Sequence, residues 1–229
     1  MLQLTRVENH TFVLNWLQSG AVVADLGGNL GRFSSTLSQN YGCDCFVAEP
    51  DPDIFERIPV SGKIQKLNVA IGGSDSTLSF YRSDNIEGGS LKKSDIWDGS
   101  EAIEVQVLSL PTFLNQFGLS AVDLMKVDIE GAEVPLLLEC PENILKQAKQ
   151  VTVEFHDFIG GSVTKEEVDQ VIDRMTKIGF YVLPFSATDR SDVLFIRNDL
   201  ISGFQAWKLR SFDRWVRALG RKLGKIFGR

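Results

Sequence analysis

The chain has 229 residues, 43% of them apolar, which is enough to bury one good core and places it between one and two domains. Its formal charge of −6 argues against a nucleic-acid partner for the chain as a whole, and no run approaches the ~20 continuous apolar residues of a membrane span. Cys43, Cys45 and Cys140 are too few and too scattered for a disulfide framework, and no further Cys or His cluster completes a zinc site, so reduced thiols in a cytoplasmic protein are expected.

From the start, Met1 to Gly20 mixes Arg6, Glu8 and His10 with apolar residues, unlike a signal peptide, and Asn9 to Gln18 reads as a short amphipathic helix. Val22 to Leu26 then reads as a buried strand running into Gly27-Gly28-Asn29-Leu30-Gly31 and a helix over roughly Phe33 to Gln39. Glycines straight after a strand let the backbone turn sharply and approach a ligand, and the helix start aims free amides at it. The order Asp25-x-Gly27-Gly28-Asn29-x-Gly31 is not the G-x-G-x-x-G of dinucleotide folds, and no phosphate loop occurs. Asp25 at the strand end suits a cationic ligand, such as a sulfonium, better than a phosphate.

Cys45 to Ala48 reads as a second strand ending in Glu49, eighteen residues past Gly31, where an acid accepts hydrogen bonds from both hydroxyls of a ribose. Ile64 to Ile71 and Thr77 to Tyr81 read as strands around the turn Gly72-Gly73-Ser74-Asp75, and Glu104 to Leu108 as another, together a β-rich insertion. Ser83 to Ser100, rich in Gly, Ser, Asp and Lys, reads as an exposed loop placed to fold over a substrate. Val122 to Val127 leads into Asp128-Ile129-Glu130-Gly131-Ala132-Glu133, again a strand ending in acids and a glycine. Val151 to Asp157 is the next strand, carrying Glu154 and His156 at its end. A helix over Lys165 to Ile178, opened by the Thr164-x-x-Glu167 capping box and closed by Gly179, precedes strands at Phe180 to Leu183 and Val193 to Arg197. Ligands in open α/β sheets sit beyond the carboxyl ends of the strands, so Asp25, Glu49, Asp128, Glu154 and His156 are expected at one edge.

Four segments together resemble the FkbM-type family of S-adenosylmethionine-dependent methyltransferases: Asp25-Leu26-Gly27-Gly28-Asn29-Leu30-Gly31, Glu49, Asn68-Val69-Ala70-Ile71 and Lys126-Val127-Asp128-Ile129-Glu130-Gly131-Ala132-Glu133. The resemblance spans roughly Ala21 to Asp157. It departs at Gly28, where the family usually has Ala, a change expected to be harmless in a turn. The resemblance implies a Rossmann-like class I methyltransferase fold, a mostly parallel seven-stranded sheet with helices on both faces and an antiparallel last strand. It also implies S-adenosylmethionine as cofactor, bound by Asp25, Gly27, Gly28, Asn29, Gly31, Glu49, Asn68, Val69, Ala70 and Asp128. The acceptor it implies is a small molecule or glycan methylated on oxygen, in a sugar or a secondary metabolite.

An alcohol is a poor nucleophile until its proton is removed, and His156, one of only two histidines, is the first candidate for the base. Asp128 and Glu130 are the other contenders, as base or through substrate hydroxyls. In a metal-assisted variant Asp128, Glu154 and His156 would hold a divalent metal ion, although strand-end acids beside a cationic ligand commonly do without one. The sequence favours the metal-free form.

The last segment, Phe204 to Arg229, holds eight basic residues against Asp213, leaving the remainder at −13. Phe212, Trp215, Val216, Leu219, Leu223, Ile226 and Phe227 recur at helical steps, so residues 201–229 read as a basic amphipathic helix following a methyltransferase domain over 1–200. Its partners are an anionic membrane surface, the acidic body of the chain itself, or a second subunit in an oligomer. Two other classes of function compete with a methyltransferase: a nucleotide-dependent oxidoreductase, which the glycine spacing opposes, and a catalytically silent scaffold at a membrane surface, which the intact strand-end acids oppose.

Overall fold

The computed structural model describes residues 2–82, 89–90, 102–156, 163–185 and 191–209. In chain order its elements are β1 (Leu4–Val7), β2 (His10–Val13), β3 (Val22–Leu26), α1 (Arg32–Tyr41), β4 (Asp44–Ala48), α2 (Pro52–Arg57), β5 (Ile64–Leu67), β6 (Ala70–Gly72), β7 (Ser76–Arg82), β8 (Gly89–Ser90) and β9 (Ala102–Ser109). There follow α3 (Leu110–Gln116), β10 (Leu124–Val127), α4 (Glu133–Glu139), α5 (Glu142–Leu145), β11 (Gln150–Val153), α6 (Lys165–Lys177), β12 (Phe180–Pro184) and β13 (Val193–Arg197).

Short apolar runs that are buried on both faces belong inside a parallel sheet. Seven strands form one in the order β12-β13-β11-β10-β3-β4-β5. Strands β11, β10, β3, β4 and β5 pair in parallel, and β13 runs antiparallel between β11 and β12. This is the class I methyltransferase order. Successive residues of β3 serve opposite faces: Val23 packs with Phe33 and Leu37 of α1, whereas Ala24 and Leu26 join the larger core with Phe113, Leu136 and Phe155. Successive strands are laid outward to one edge from β3 and to the other edge from β10, and this switch in strand order opens a crevice beyond their carboxyl ends.

Two sequence expectations are corrected. The helix expected over Asn9 to Gln18 is instead β2 and a 3-10 turn at Leu14–Trp16, and β2 pairs with β1 as a hairpin. His10, Thr11, Phe12 and Val13 are all buried, so no polar helix face exists, and Thr11 and Val13 are β-branched. The single strand expected over Ile64 to Ile71 breaks at Asn68. Its first half is the edge of the main sheet and its second half enters a four-stranded sheet ordered β6-β9-β7-β8. The Asn68 amide donates to the carbonyls of Glu49 and Pro50, holding the chain where it leaves the main sheet.

The capping box at Thr164 and Glu167 forms as read, with the Thr164 amide donating to Glu167 Oε2 at 2.8 Å. The expected loop Ser83 to Ser100 lies outside the described residues except for β8, and so do residues 210–229 of the expected amphipathic helix. Residues 203–209 are helical; they bury Leu209 and expose Phe204 and Trp207, whose rings stack 6.1 Å apart.

Candidate active site

The glycine turn is shaped first by the protein around it. Gly27 (φ 83°) and Gly31 (φ 71°) are left-handed, and a Cβ on Gly27 would lie 1.8 Å from the Asp128 carbonyl oxygen. On Gly28 it would meet Val47 Cγ1 at 2.1 Å, so the departure at Gly28, expected to be harmless, is one to which the packing of β4 is fitted. Gly27 and Gly28 donate their amides to the Ala48 carbonyl, which fastens the turn to the end of β4.

Lys126 is the hub beneath this turn. The register of β10 against β3 sets it beside Asp25, and its buried ammonium reaches the Gly27 carbonyl at 2.7 Å, Asp25 Oδ1 at 3.2 Å and Asp128 Oδ2 at 3.2 Å. Burial pulls its pKa down, but the carboxylates of Asp25 and Asp128 outweigh that and hold it well above the ordinary lysine value. Asp25 itself is fully buried and accepts from Ser34 Oγ at 2.6 Å. It therefore lies under the turn, on the wall of neither cavity described below, whereas Asp128 and Glu130 line both.

Two cavities open at the strand ends. The first is lined by Gly27, Asn29, Ala48, Glu49, Pro50, Ile54, Val69, Ala70, Ile71, Phe80, Asp128, Ile129 and Glu130. Its walls are mostly apolar, with Glu49 presented from one strand end and Asp128 and Glu130 from another. Glu49 accepts from the amides of Asn29 (2.8 Å) and Asp51 (2.9 Å), yet burial pushes its pKa up to about 7 despite them. Flat apolar walls, a fixed carboxylate for a diol and an anionic region for a sulfonium fit S-adenosylmethionine. Of the other expected cofactor residues, Val69 and Ala70 line this cavity, Gly28 lines the second, and Gly31 and Asn68 line neither.

The second cavity, of about 240 Å³, is lined by Glu8, Asn9, His10, Gly28, Asn29, Leu30, Arg32, Phe33, Lys126, Asp128, Glu130, Glu154 and His156. Asn29, Asp128 and Glu130 belong to both walls. Among the described residues, the non-glycine positions with positive φ are Glu8 (50°), Asn29 (48°) and Glu130 (51°), and all three line this cavity. Left-handed backbone is costly for such residues and collects at functional sites.

The charges inside are set apart by their surroundings. Burial raises the Asp128 pKa, but Lys126, His10 and His156 overcome it and leave the group far below the carboxylate range. Burial dominates at Glu130 and Glu154 and pushes each up to about 7. His156 Nδ1 bonds to buried Glu133 at 2.8 Å, and its Nε2 lies 3.3 Å from Glu130 and 3.7 Å from Asp128. Burial lowers its pKa, but the Glu133 hydrogen bond and the surrounding carboxylates raise it to about 10. The carboxylates around His156 thus favour its protonated form, in which it donates rather than accepts a proton.

Three residues with parts in the site had no role assigned from sequence. His10 arrives from the β1–β2 hairpin, with Nε2 3.4 Å from Asp128 Oδ2 and 3.9 Å from Glu154 Oε2; the signal was that it is one of two histidines. Lys126 and Glu133 stand at the two ends of the acidic block. Glu133 also accepts from the amides of Ile129 and Gly131, fixing the loop that presents Asp128 and Glu130. Two groups have ligand-type atoms within 4.8 Å of one another, His10 with Asp128 and Glu154, and Asp128 with Glu130 and His156. The trio of Asp128, Glu154 and His156 considered for a metal-assisted variant is thus divided between them.

Among curated proteins, the chain is 24% identical to the 31-O-demethyl-FK506 methyltransferase FkbM of Streptomyces tacrolimicus over 63% of this chain and 68% of that protein. It is likewise 24% identical to the methyltransferase sdnD of Sordaria araneosa, over 64% of this chain and 70% of that one. The AMB antimetabolite synthetase AmbE of Pseudomonas aeruginosa is 30% identical over 69% of this chain, which spans 8% of AmbE. Among solved structures, a TehB-like S-adenosylmethionine-dependent methyltransferase from Corynebacterium glutamicum superposes with a TM-score of 0.44 at 14% identity, covering 78% of this chain and 81% of that one. The family model of the methyltransferase FkbM domain matches residues 25–182, which include Asp25, Glu49, Asp128, Glu130, Glu154 and His156, and the chain belongs to that family of S-adenosylmethionine-dependent methyltransferases.

Proposed function

We propose that the chain transfers a methyl group from S-adenosylmethionine to a hydroxyl oxygen of a sugar, in a glycan or a secondary metabolite, bound in the polar cavity. The observation that carries this reading is the shared wall. A cavity suited to a nucleoside meets a cavity suited to a hydroxylated acceptor at Asn29, Asp128 and Glu130. Ten of the thirteen residues lining the second cavity are polar or charged, which matches a polyol better than an apolar metabolite.

When bound, S-adenosylmethionine supplies a methyl group made electrophilic by its sulfonium. Glu49 accepts from the ribose hydroxyls, while Val69, Ala70, Ile54 and Phe80 enclose the nucleoside. Asp128, held anionic by Lys126, balances positive charge at the shared wall. Glu154, on the acceptor side and half ionised near neutral pH, takes the proton that leaves the acceptor oxygen as the new carbon–oxygen bond forms. Glu130 stands at the shared wall as the second carboxylate with that capacity. The His156 imidazolium donates to the acceptor and keeps it oriented.

Calorimetric titration with S-adenosylmethionine and S-adenosylhomocysteine, followed by methyl transfer from labelled cofactor to a panel of methyl glycosides, tests the reading. Micromolar cofactor binding, lost in Glu49→Ala, with label in a methyl ether is the expected result. Binding without transfer to any hydroxylated acceptor would favour the silent scaffold.

A further inference from the structure

The matched family segment begins at residue 25, yet the second cavity is closed by residues that precede it. The β1–β2 hairpin is fastened to the sheet by buried polar pairs. The Val13 amide donates to Gln150 Oε1 (2.7 Å), and Gln150 Nε2 donates to the Val13 carbonyl (3.1 Å). Asp192 accepts from Thr11 N (3.1 Å) and Thr11 Oγ1 (2.6 Å), with Arg6 at 3.4 Å. Gln150 and Asp192 are buried, and these hydrogen bonds to the hairpin satisfy polar atoms that the folded chain withholds from water. The hairpin is therefore a fixed wall of the site. Its tip carries Glu8 in the left-handed conformation, shared among the described non-glycine residues only with Asn29 and Glu130 of the same cavity.

His10 follows that tip. It is 1% exposed, packs edge-on against Phe33 of α1 with ring centroids 5.6 Å apart, and has Thr152 Oγ1 3.5 Å from Nδ1. Its Nε2 faces Asp128 and Glu154, which come from two different strand ends. With Lys126 on the same Asp128 oxygen, the carboxylate is gripped from the sheet below and from the hairpin beside it.

We propose that the hairpin is part of the catalytic unit and that His10 is a positioning residue, which aims the Asp128 and Glu154 carboxylates at the point of methyl transfer. This rests on the cofactor reading above. The test needs no acceptor, because sinefungin carries an ammonium group where S-adenosylmethionine carries its methylated sulfur, whereas S-adenosylhomocysteine is neutral there. The ratio of their dissociation constants measures how well negative charge is aimed at that point; the homocysteine affinity alone measures the nucleoside cavity.

In the full chain we expect His10→Ala to reduce the preference for sinefungin at least fivefold while S-adenosylhomocysteine binds within twofold of the wild type. His10→Gln, whose amide still donates towards Asp128, should recover most of the preference, an outcome that a merely structural role would not produce. Thr152→Val, which leaves His10 in place but removes the group facing Nδ1, should lower the ratio two- to threefold and serves if the alanine variant does not fold. An unchanged ratio in folded His10→Ala, or in Thr152→Val when the alanine variant does not fold, overturns the proposal. Absence of homocysteine binding to the wild type overturns the cofactor reading beneath it.

Discussion

The two cavities that meet at Asn29, Asp128 and Glu130 are built on opposite principles. The first is walled mainly by Ala48, Pro50, Ile54, Val69, Ala70, Ile71 and Phe80, with Glu49 presented from one strand end and Asp128 and Glu130 from another. The second cavity is crowded with charge, and its groups differ less in chemistry than in surroundings: Asp128, Glu130 and Glu154 are all strand-end carboxylates, yet Lys126 and the histidines hold the first ionised while burial pushes the other two up to about 7. The cation at Lys126 separates them, since its ammonium lies on Asp128 and not on the two glutamates. On the proposed function binding and chemistry are divided by space, and substitutions should divide the same way.

The largest effect is expected at Glu154. Glu154→Gln removes the proposed proton acceptor but keeps the volume, so methyl transfer should fall by roughly 10²–10⁴ while affinity for the neutral S-adenosylhomocysteine changes less than twofold. A parallel loss in both quantities would show that the cavities are not separate. The rate with wild-type protein should rise with pH through about 7, as Glu154 ionises, and that limb should disappear in the variant.

Glu49 gives the converse result. Glu49→Gln should weaken S-adenosylmethionine by roughly 10- to 100-fold, the loss of charged acceptance from two hydroxyls. It also carries a pH dependence of defined sign. Because its pKa in the free protein is about 7, binding of a ligand that needs the ionised form releases a proton below that pH. Affinity should therefore fall on going from pH 8 to pH 6, by about tenfold for one such group, and less steeply in Glu49→Gln, where Glu130 alone contributes. Stability moves the other way. A carboxyl whose folded pKa is raised above its unfolded value stabilises fully below the unfolded pKa and loses that contribution as pH rises through about 7. Glu49→Gln should accordingly melt higher relative to the wild type at pH 8 than at pH 4.5.

Gly28→Ala tests how closely the turn is fitted to β4. A methyl 2.1 Å from Val47 Cγ1 cannot be accommodated without movement of a stiff β-branched side chain, and destabilisation of about 1–3 kcal/mol is expected by denaturant unfolding. Val47→Ala should cancel most of that increment in the double variant, a coupling that a change merely tolerated in a turn would not show.

Much of this division was legible in the sequence because both signals are local. Strand-end acids and a glycine turn are read from spacing, and the α/β alternation fixes which end of each strand they occupy. The hairpin was not legible: His10-Thr11-Phe12-Val13 has too few residues to separate a strand from a helix by period, and its pairing with Gln150 and Asp192 spans most of the chain. Asp25 was legible as a site residue but not as a buried one, since only the register of β10 against β3 places Lys126 over it. The ionisation of His156 depends on Glu133, twenty-three positions away, and spacing alone says nothing of how two such side chains meet.

The smallest expected effect concerns the division of charge itself. Ligand-type atoms of His10, Asp128 and Glu154 lie close enough to share a divalent ion, and the metal-assisted form would make the acceptor side resemble a metal centre. Lys126 argues otherwise, because its ammonium already sits 3.2 Å from the Asp128 oxygen that faces His10, where a metal would add a second cation at close range. Glu133 and the neighbouring carboxylates favour protonation of His156, which then places another positive charge beside Asp128 and Glu130. Methyl transfer should therefore stay within twofold after dialysis against a chelator, with no recovery on adding Mg²⁺ or Mn²⁺. A tenfold loss restored by metal would mean that Lys126 yields Asp128 to an ion, and the proton-transfer role would then pass from Glu154 to metal-bound acceptor chemistry.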